Sequence, residues 1–359
     1  MTENPFNPLF GRRPNVFIGR DEIEREFLAA QDNNNSPWRS TLLIGMRGSG
    51  KTALLTNIRE QLPTSSIVVY AAPESEFLAN LLGQIYKQLP QKSIKILENI
   101  NSFTVAGFGL GLTKEQPSFT NSFRYQISLM LDELKKDKIP VIFLIDEVQK
   151  HSDELRTFIS NYQQLISENY DISLVMAGLP QAISDLLNDN ILTFFRRANR
   201  IQLGNLNIEL VKMDYQQIFL KSDFSITKEE VEEAALATQG YPYLIQLVGY
   251  YLWENLKQYP AEESLQRAKI LAQADLFQNV HEVVYNELSA MDQKFLKTMA
   301  EVGSSVEISE ISKAMGKKMN YISNYRARLI EAGVIEANSY GKVSFTLPYM
   351  HEFIKLKDE

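Results

Sequence analysis

The stretch Gly45-Met46-Arg47-Gly48-Ser49-Gly50-Lys51-Thr52 constrains this chain more than any other. It satisfies every fixed position of the phosphate-loop pattern G-x-x-x-x-G-K-[ST]. The residues before it, Ser40-Thr41-Leu42-Leu43-Ile44, read as a buried β-strand, and Ala53 to Arg59 reads as the opening of a helix. The motif therefore has the strand, loop and helix context that its chemistry needs. Glycines let the backbone turn with its N–H groups inward, and the positive end of the helix dipole lies behind them, which suits a polyphosphate. In such a loop Gly45, Arg47, Gly48, Ser49, Gly50, Lys51, Thr52 and Ala53 surround the phosphates. Lys51 reaches the outer phosphates and the Thr52 hydroxyl ligates Mg²⁺.

A second element completes the first. Val141-Ile142-Phe143-Leu144-Ile145 is an unbroken apolar run of β-formers that ends in Asp146-Glu147. A strand buried on both faces of a parallel sheet is apolar throughout, and ligands collect at its carboxyl end. Asp146 is placed to hold Mg²⁺ through water, and Glu147 to orient and polarise an attacking water. Further strands are expected at Ser66 to Tyr70, Ile172 to Gly178 and Arg200 to Leu203. Helices are expected at Glu22 to Ala30, Glu76 to Leu89 and Glu154 to Glu168, with Asp21 an N-cap for the first. Five strands alternating with helices predict an α/β core, a parallel five-stranded sheet covered on both faces. Phe103 to Leu112 alternates bulky and small residues as a strand or packed hairpin does, and holds no basic residue.

A chain of 359 residues exceeds one compact core, and three domains are expected behind a Pro- and Asn-rich arm. The boundaries read as an arm at 1–16, a nucleotide-binding core at 17–205, a strand-free helical domain at 206–285 and a C-terminal unit at 286–359. In that last unit Phe295, Leu296 and Met299 face inward from a helix beginning near Leu288. Ser309 caps a short helix ended by Gly316, and a third helix runs from about Asn320 to Ala332. Val334 to Ala337 and Lys342 to Phe345 flank Asn338-Ser339-Tyr340-Gly341, which is hairpin chemistry. Three helices and a terminal hairpin predict a winged helix. Its third helix turns Ile322, Leu329 and Ile330 to the core. Tyr321, Asn324 and Arg328 lie opposite, Lys317 and Lys318 at its start, and Lys342 in the wing. These groups suit double-stranded DNA, with lysines for phosphate and Asn and Arg for base edges. The stretch from Lys313 to Lys342 holds six basic residues against two acidic, in a chain whose net charge is −7. DNA binding must therefore come from this local patch, and a protein partner on the same face is the alternative.

Composition closes off other chemistry. There is no cysteine, which excludes disulfides, thiolate metal sites and cysteine nucleophiles. No apolar run reaches a membrane span, and the polar start lacks a signal peptide's apolar region, so a cytoplasmic protein is expected. The three histidines, His151, His281 and His351, have no ligand spacing and read as surface or packing residues.

Taken with Phe17-Ile18-Gly19-Arg20-Asp21 ahead of the loop, the Asp146 to Pro180 stretch and the order of domains, the sequence resembles AAA+ ATPases of the origin-recognition and initiator type. The resemblance spans nearly the whole chain. It implies an ATPase that binds ATP or ADP with Mg²⁺, with Phe17, Ile18 and Gly19 lining the base pocket and a helical lid following the core. It also implies self-association through the ATP site, where Arg196 or Arg197 reaches a neighbour's γ-phosphate. Two departures stand out. The strand after Walker B ends Ala177-Gly178, where a polar sensor residue is usual. The lid carries Gly240-Tyr241-Pro242-Tyr243 in place of the sensor 2 arginine. That signature also recurs in signal-transduction ATPases, so a signalling or defence ATPase whose winged helix docks a protein is the alternative reading.

Overall fold

The computed structural model describes residues 3–9, 19–100, 122–148, 152–189, 192–339 and 341–357. Phe17, Ile18, His151, Tyr340 and the whole stretch from Phe103 to Leu112 lie outside the described residues. The chain divides into two compact units, and the division cuts across the sequence. One holds residues 22–44 and 54–202; the other joins residues 1–21 and 45–53 to everything from Leu203 onward.

The first unit is built on a parallel sheet of β1 (Ser40–Ile44), β2 (Ile67–Ala71), β3 (Val141–Val148), β4 (Ile172–Gly178) and β5 (Asn199–Gln202), in the order β2-β3-β4-β1-β5. Each strand position was legible to within a residue or two. The apolar run of β3 is the reason that it lies inside the sheet: Val141 to Ile145 are all fully buried. The helix α1 (Asp21–Ala30), which lies in this unit from Glu22 onward, begins at Asp21, which is its first residue rather than a cap outside it. The helices that follow are α2 (Lys51–Gln61), whose first turn belongs to the other unit, α3 (Phe77–Gln88), α4 (Gln91–Glu98), α5 (Phe123–Asp137), α6 (Asp153–Ser167) and α7 (Pro180–Leu187). Phe158 of α6 sits at the centre of the core, its ring 5.1 Å from Phe143, 5.8 Å from Phe77 and 6.2 Å from Phe123. β2 is an edge strand, and its outer backbone groups are taken by two side chains of α3. Gln84 bonds both the N–H and the carbonyl of Tyr70, and Gln88 does the same for Val68.

The register shows which strand ends lie side by side. Gly178 at the end of β4 pairs with Ile44 of β1 on one side and Val148 of β3 on the other. The strand that feeds the phosphate loop and the strand that carries Asp146 and Glu147 thus finish at one sheet edge. Gly178 is held to glycine by packing, because a Cβ there would crowd Ile183 and Val148.

In the second unit α8 (Ile208–Phe219), α9 (Lys228–Ala237), α10 (Pro242–Leu256) and α11 (Ala261–Leu276) form a helical bundle, strand-free as expected. The N-terminal arm is part of its core. Phe6 is buried against Tyr215 and Phe219 and packs so closely on Gly249 that no Cβ fits there. A π-helical turn, Phe277–His281, leads into α12 (Glu282–Asn286). The C-terminal region then runs α13 (Ala290–Val302), β6 (Ser305–Glu307), α14 (Ile308–Met315), α15 (Met319–Glu331), β7 (Ile335–Ser339), β8 (Lys342–Phe345) and α16 (Met350–Lys357). Its antiparallel sheet has the order β6-β8-β7. Sequence reading missed β6, which is too short to show alternation, and α16. It also misplaced one cap: Ser309 lies inside α14, and Glu307 caps that helix in a reciprocal pair with Glu310.

His281 is fully buried beside Phe277 and Phe353, with ring centroids 5.2 and 5.4 Å away. Among the described residues neither ring nitrogen has a hydrogen-bond partner of good geometry, the Pro348 carbonyl being a weak one. Burial therefore pushes the imidazole from its ordinary 6.5 down to about 3. The folded state keeps His281 neutral while the unfolded chain takes up a proton below pH 6.5, so stability is present above that pH and lost as pH falls toward 3. The slope of this one group is about 1.4 kcal/mol per pH unit. Urea melts of the native chain and His281→Leu, compared at pH 7 and pH 4.5, are expected to show the smaller acid loss in the variant.

Candidate functional site

The loop after β1 adopts the conformation that its glycines allow. Gly48 and Gly50 have φ of +73° and +86°, and α2 begins at Lys51. The Ser49 N–H closes a turn on the Met46 carbonyl at 3.2 Å. The Lys51 ammonium curls over the loop and donates to the carbonyls of Gly45 and Met46 at 2.8 and 2.9 Å. Gly45 is glycine because a Cβ would strike the Ser49 hydroxyl. That hydroxyl is buried and, among the described residues, has no hydrogen-bond partner. An orphaned hydroxyl, first-turn amides and a lysine in one loop fit a phosphate group.

The outer side of the loop is held by the Gly240-Tyr241-Pro242-Tyr243 segment, which precedes and opens α10. The Tyr241 hydroxyl donates to the Arg47 carbonyl, and the Tyr243 N–H donates to the Gly48 carbonyl at 3.1 Å. A trans peptide directs its N–H opposite its carbonyl, so the Gly48 N–H faces away from Tyr241. A Cβ on Gly48 would collide with the Tyr241 hydroxyl, which makes glycine necessary there twice over. Burial pushes the Tyr241 phenol well above its ordinary range, so it stays a proton donor. The Arg47 guanidinium also pairs with Glu287 at 2.7 Å, an exposed contact that contributes about 0–1 kcal/mol. Sequence reading singled out this lid signature for its missing arginine. The contact of its tyrosines with loop carbonyls was not legible, because it joins residues nearly two hundred apart.

At the end of β3, Asp146 is buried and Glu147 exposed. The ladder shifts between Ile145 and Val148, and Glu147 takes φ +53°, a left-handed conformation costing about 1–3 kcal/mol for a non-glycine residue. This kink turns the two carboxylates to different surroundings. Asp146 Oδ1 accepts the Glu147 N–H at 2.9 Å, and Oδ2 accepts the Tyr70 hydroxyl at 2.9 Å. Among the described residues no cation pairs with Asp146, and no cluster of three or more acidic or histidine ligands occurs. A buried carboxylate with no ion-pair partner has the donor chemistry for a hard divalent cation. Ala177 and Gly178 beside it are buried and apolar, as the sequence indicated.

Arg196 and Arg197 end a short 3₁₀ turn, Thr193–Arg197, and both are exposed. Arg196 Nε donates to the Leu187 carbonyl at 2.8 Å. Arg197 has no ion pair among the described residues and lines a cavity of about 570 Å³ with Arg39, Tyr162 and Tyr170. Ser40 also lines it, so this cavity lies at the amino end of β1. Gly19 has φ +70° and faces Leu206 and Leu210; the neighbouring Arg20 guanidinium bonds the Gly204 carbonyl at 2.6 Å.

In the C-terminal region Lys317, Lys318, Tyr321, Asn324 and Lys342 are all exposed. Tyr321 and Tyr325 pack with centroids 4.9 Å apart, and Lys317 lies 5.6 Å from the Tyr321 ring. Arg328 is exposed on the same helix, but its guanidinium is engaged. Its guanidinium bonds the buried Asp292 carboxylate at 2.5 and 3.0 Å and the Ser289 hydroxyl at 3.1 Å. It therefore fastens α15 to the start of α13 and is not free for a base edge. Helical periodicity placed Arg328 outward, and Asp292, distant in sequence, redirects it.

Residues 16–175 match the model of the AAA ATPase domain family. A second match, to a domain of unknown function (DUF8462), covers residues 278–354. The chain is similar in structure to the Walker-type ATPase PABY2304 of Pyrococcus abyssi, with a TM-score of 0.68 at 16% identity over 96% of this chain and 97% of that one. It is likewise similar to the Aeropyrum pernix ORC2 protein, determined as ADPNP–ADP complexes, with a TM-score of 0.65 at 14% identity over 97% and 96%. At these identities the likeness shows the fold alone, a P-loop NTPase sheet followed by helical segments. Among curated proteins none matches.

Proposed function

We propose that this chain is an ATP-binding and ATP-hydrolysing AAA+ switch of initiator-like type, whose C-terminal winged helix binds double-stranded DNA. The observation that carries it is the shared sheet edge where β1 enters the phosphate loop and β3 delivers Asp146 and Glu147. The proposed domains follow the boundaries 17–205, 206–285 and 286–359. Gly45 to Ala53 bind the phosphates, and Phe17, Ile18 and Gly19 line the base site. Lys51 offsets phosphate charge, and Thr52 and Asp146 hold Mg²⁺, which when bound neutralises phosphate charge. Glu147 accepts a hydrogen bond from the attacking water and aims it. Arg197, and Arg196 once released from the Leu187 carbonyl, serve a neighbouring copy.

The DNA surface comprises Lys317, Lys318, Tyr321, Asn324 and Lys342, without Arg328. Anisotropy of a labelled duplex at low salt tests it. Lys318→Glu/Lys342→Glu is expected to bind at least about tenfold more weakly with a shallower salt slope. Unaltered binding by that variant overturns the assigned surface. The second reading, a signalling or defence ATPase whose winged helix docks a protein, is favoured by the apolar Ala177-Gly178 end and by the commitment of Arg328 to Asp292. Absence of duplex binding by the native chain with ATP supports it.

A further inference from the structure

We infer that Tyr70 is a positioning residue for the Asp146 carboxylate, setting the orientation in which that carboxylate meets the divalent cation. The inference rests on the proposed Mg²⁺ site. Asp146 is nearly enclosed, with 4% of its surface exposed, and its two oxygens are fixed from different directions. The Glu147 N–H takes Oδ1 at 2.9 Å, and that bond comes from the carboxylate's own backbone neighbour. Among the described residues, only the Tyr70 hydroxyl, at 2.9 Å from Oδ2, reaches it from another element.

Tyr70 is itself held at both ends. Its backbone N–H and carbonyl are bonded by Gln84 at 3.0 and 2.8 Å, which ties the end of the edge strand to α3. Its ring lies beneath the Arg59 guanidinium, 5.7 Å from the centroid. A hydroxyl fixed in this way keeps one carboxylate rotamer and leaves the remaining lone pairs for water or metal. Without it, the carboxylate must be ordered by the cation, and the ordering cost appears as weaker metal affinity.

Tyr70→Phe removes one oxygen and keeps the ring. Calorimetric titration measures ATP affinity in EDTA and the Mg²⁺ midpoint at fixed ATP, for the native chain, Tyr70→Phe and Asp146→Asn. The expected result is unchanged affinity in EDTA for Tyr70→Phe, with a Mg²⁺ midpoint raised about 3- to 10-fold. Asp146→Asn is expected to raise it further. A shift in Asp146→Asn with none in Tyr70→Phe overturns the role of Tyr70 alone. Equal loss in EDTA and in Mg²⁺ for Tyr70→Phe overturns it too, by showing a merely structural role. No shift in Asp146→Asn overturns the metal site, and this inference with it.

Discussion

Lys51→Met is expected to weaken ATP binding at least about 100-fold, equivalent to about 2.7 kcal/mol, while leaving the chain folded. The ammonium now rests on the carbonyls of Gly45 and Met46, neutral acceptors within its own loop. A polyphosphate offers charged acceptors in their place, adding ion–ion attraction to bonds whose donor is already charged. Methionine keeps the length and the helix propensity at the start of α2 and removes only the charge and donors. Calorimetric titration with ATP, together with a thermal melt, checks this. Native-like affinity in a folded Lys51→Met would remove the phosphate site from the loop.

Glu147→Gln is expected to slow ATP turnover by about 10²- to 10³-fold with nucleotide affinity changed less than about threefold. The side chain is exposed at the sheet edge and the backbone is already in the left-handed region. Glutamine occupies the same volume and backbone conformation but accepts a proton poorly. Phosphate release measured against ATP binding separates the two effects. A parallel fall in both would make Glu147 a structural residue, and unchanged turnover would assign water activation to another group.

Much of this architecture could be read along the chain because its signals are local. Strand β3 is apolar wherever it is buried, and the loop's glycines stand at the positions whose φ is positive or whose Cβ would collide. What could not be read depends on partners remote in sequence. Arg328 obeys its helical period and is still diverted by Asp292. Tyr70 looked like the last residue of a strand, and nothing in its neighbourhood announces the carboxylate 76 positions later that it holds. The same is true of Phe6, whose pocket exists only because Gly249 leaves room for it. Periodicity identifies the face that a residue occupies, whereas its polar partner is decided by topology.

The tyrosine grip on the phosphate loop bears on modularity. The AAA ATPase match ends at residue 175, yet two carbonyls of the loop are held by Tyr241 and Tyr243, well beyond it. Its motif is contiguous in sequence, but its shape is a joint product of two distant segments. The phosphate-loop motif is therefore not a detachable cassette. Transplanting or truncating the chain at the boundary of the family match would carry the loop away without the tyrosines that hold its outer side.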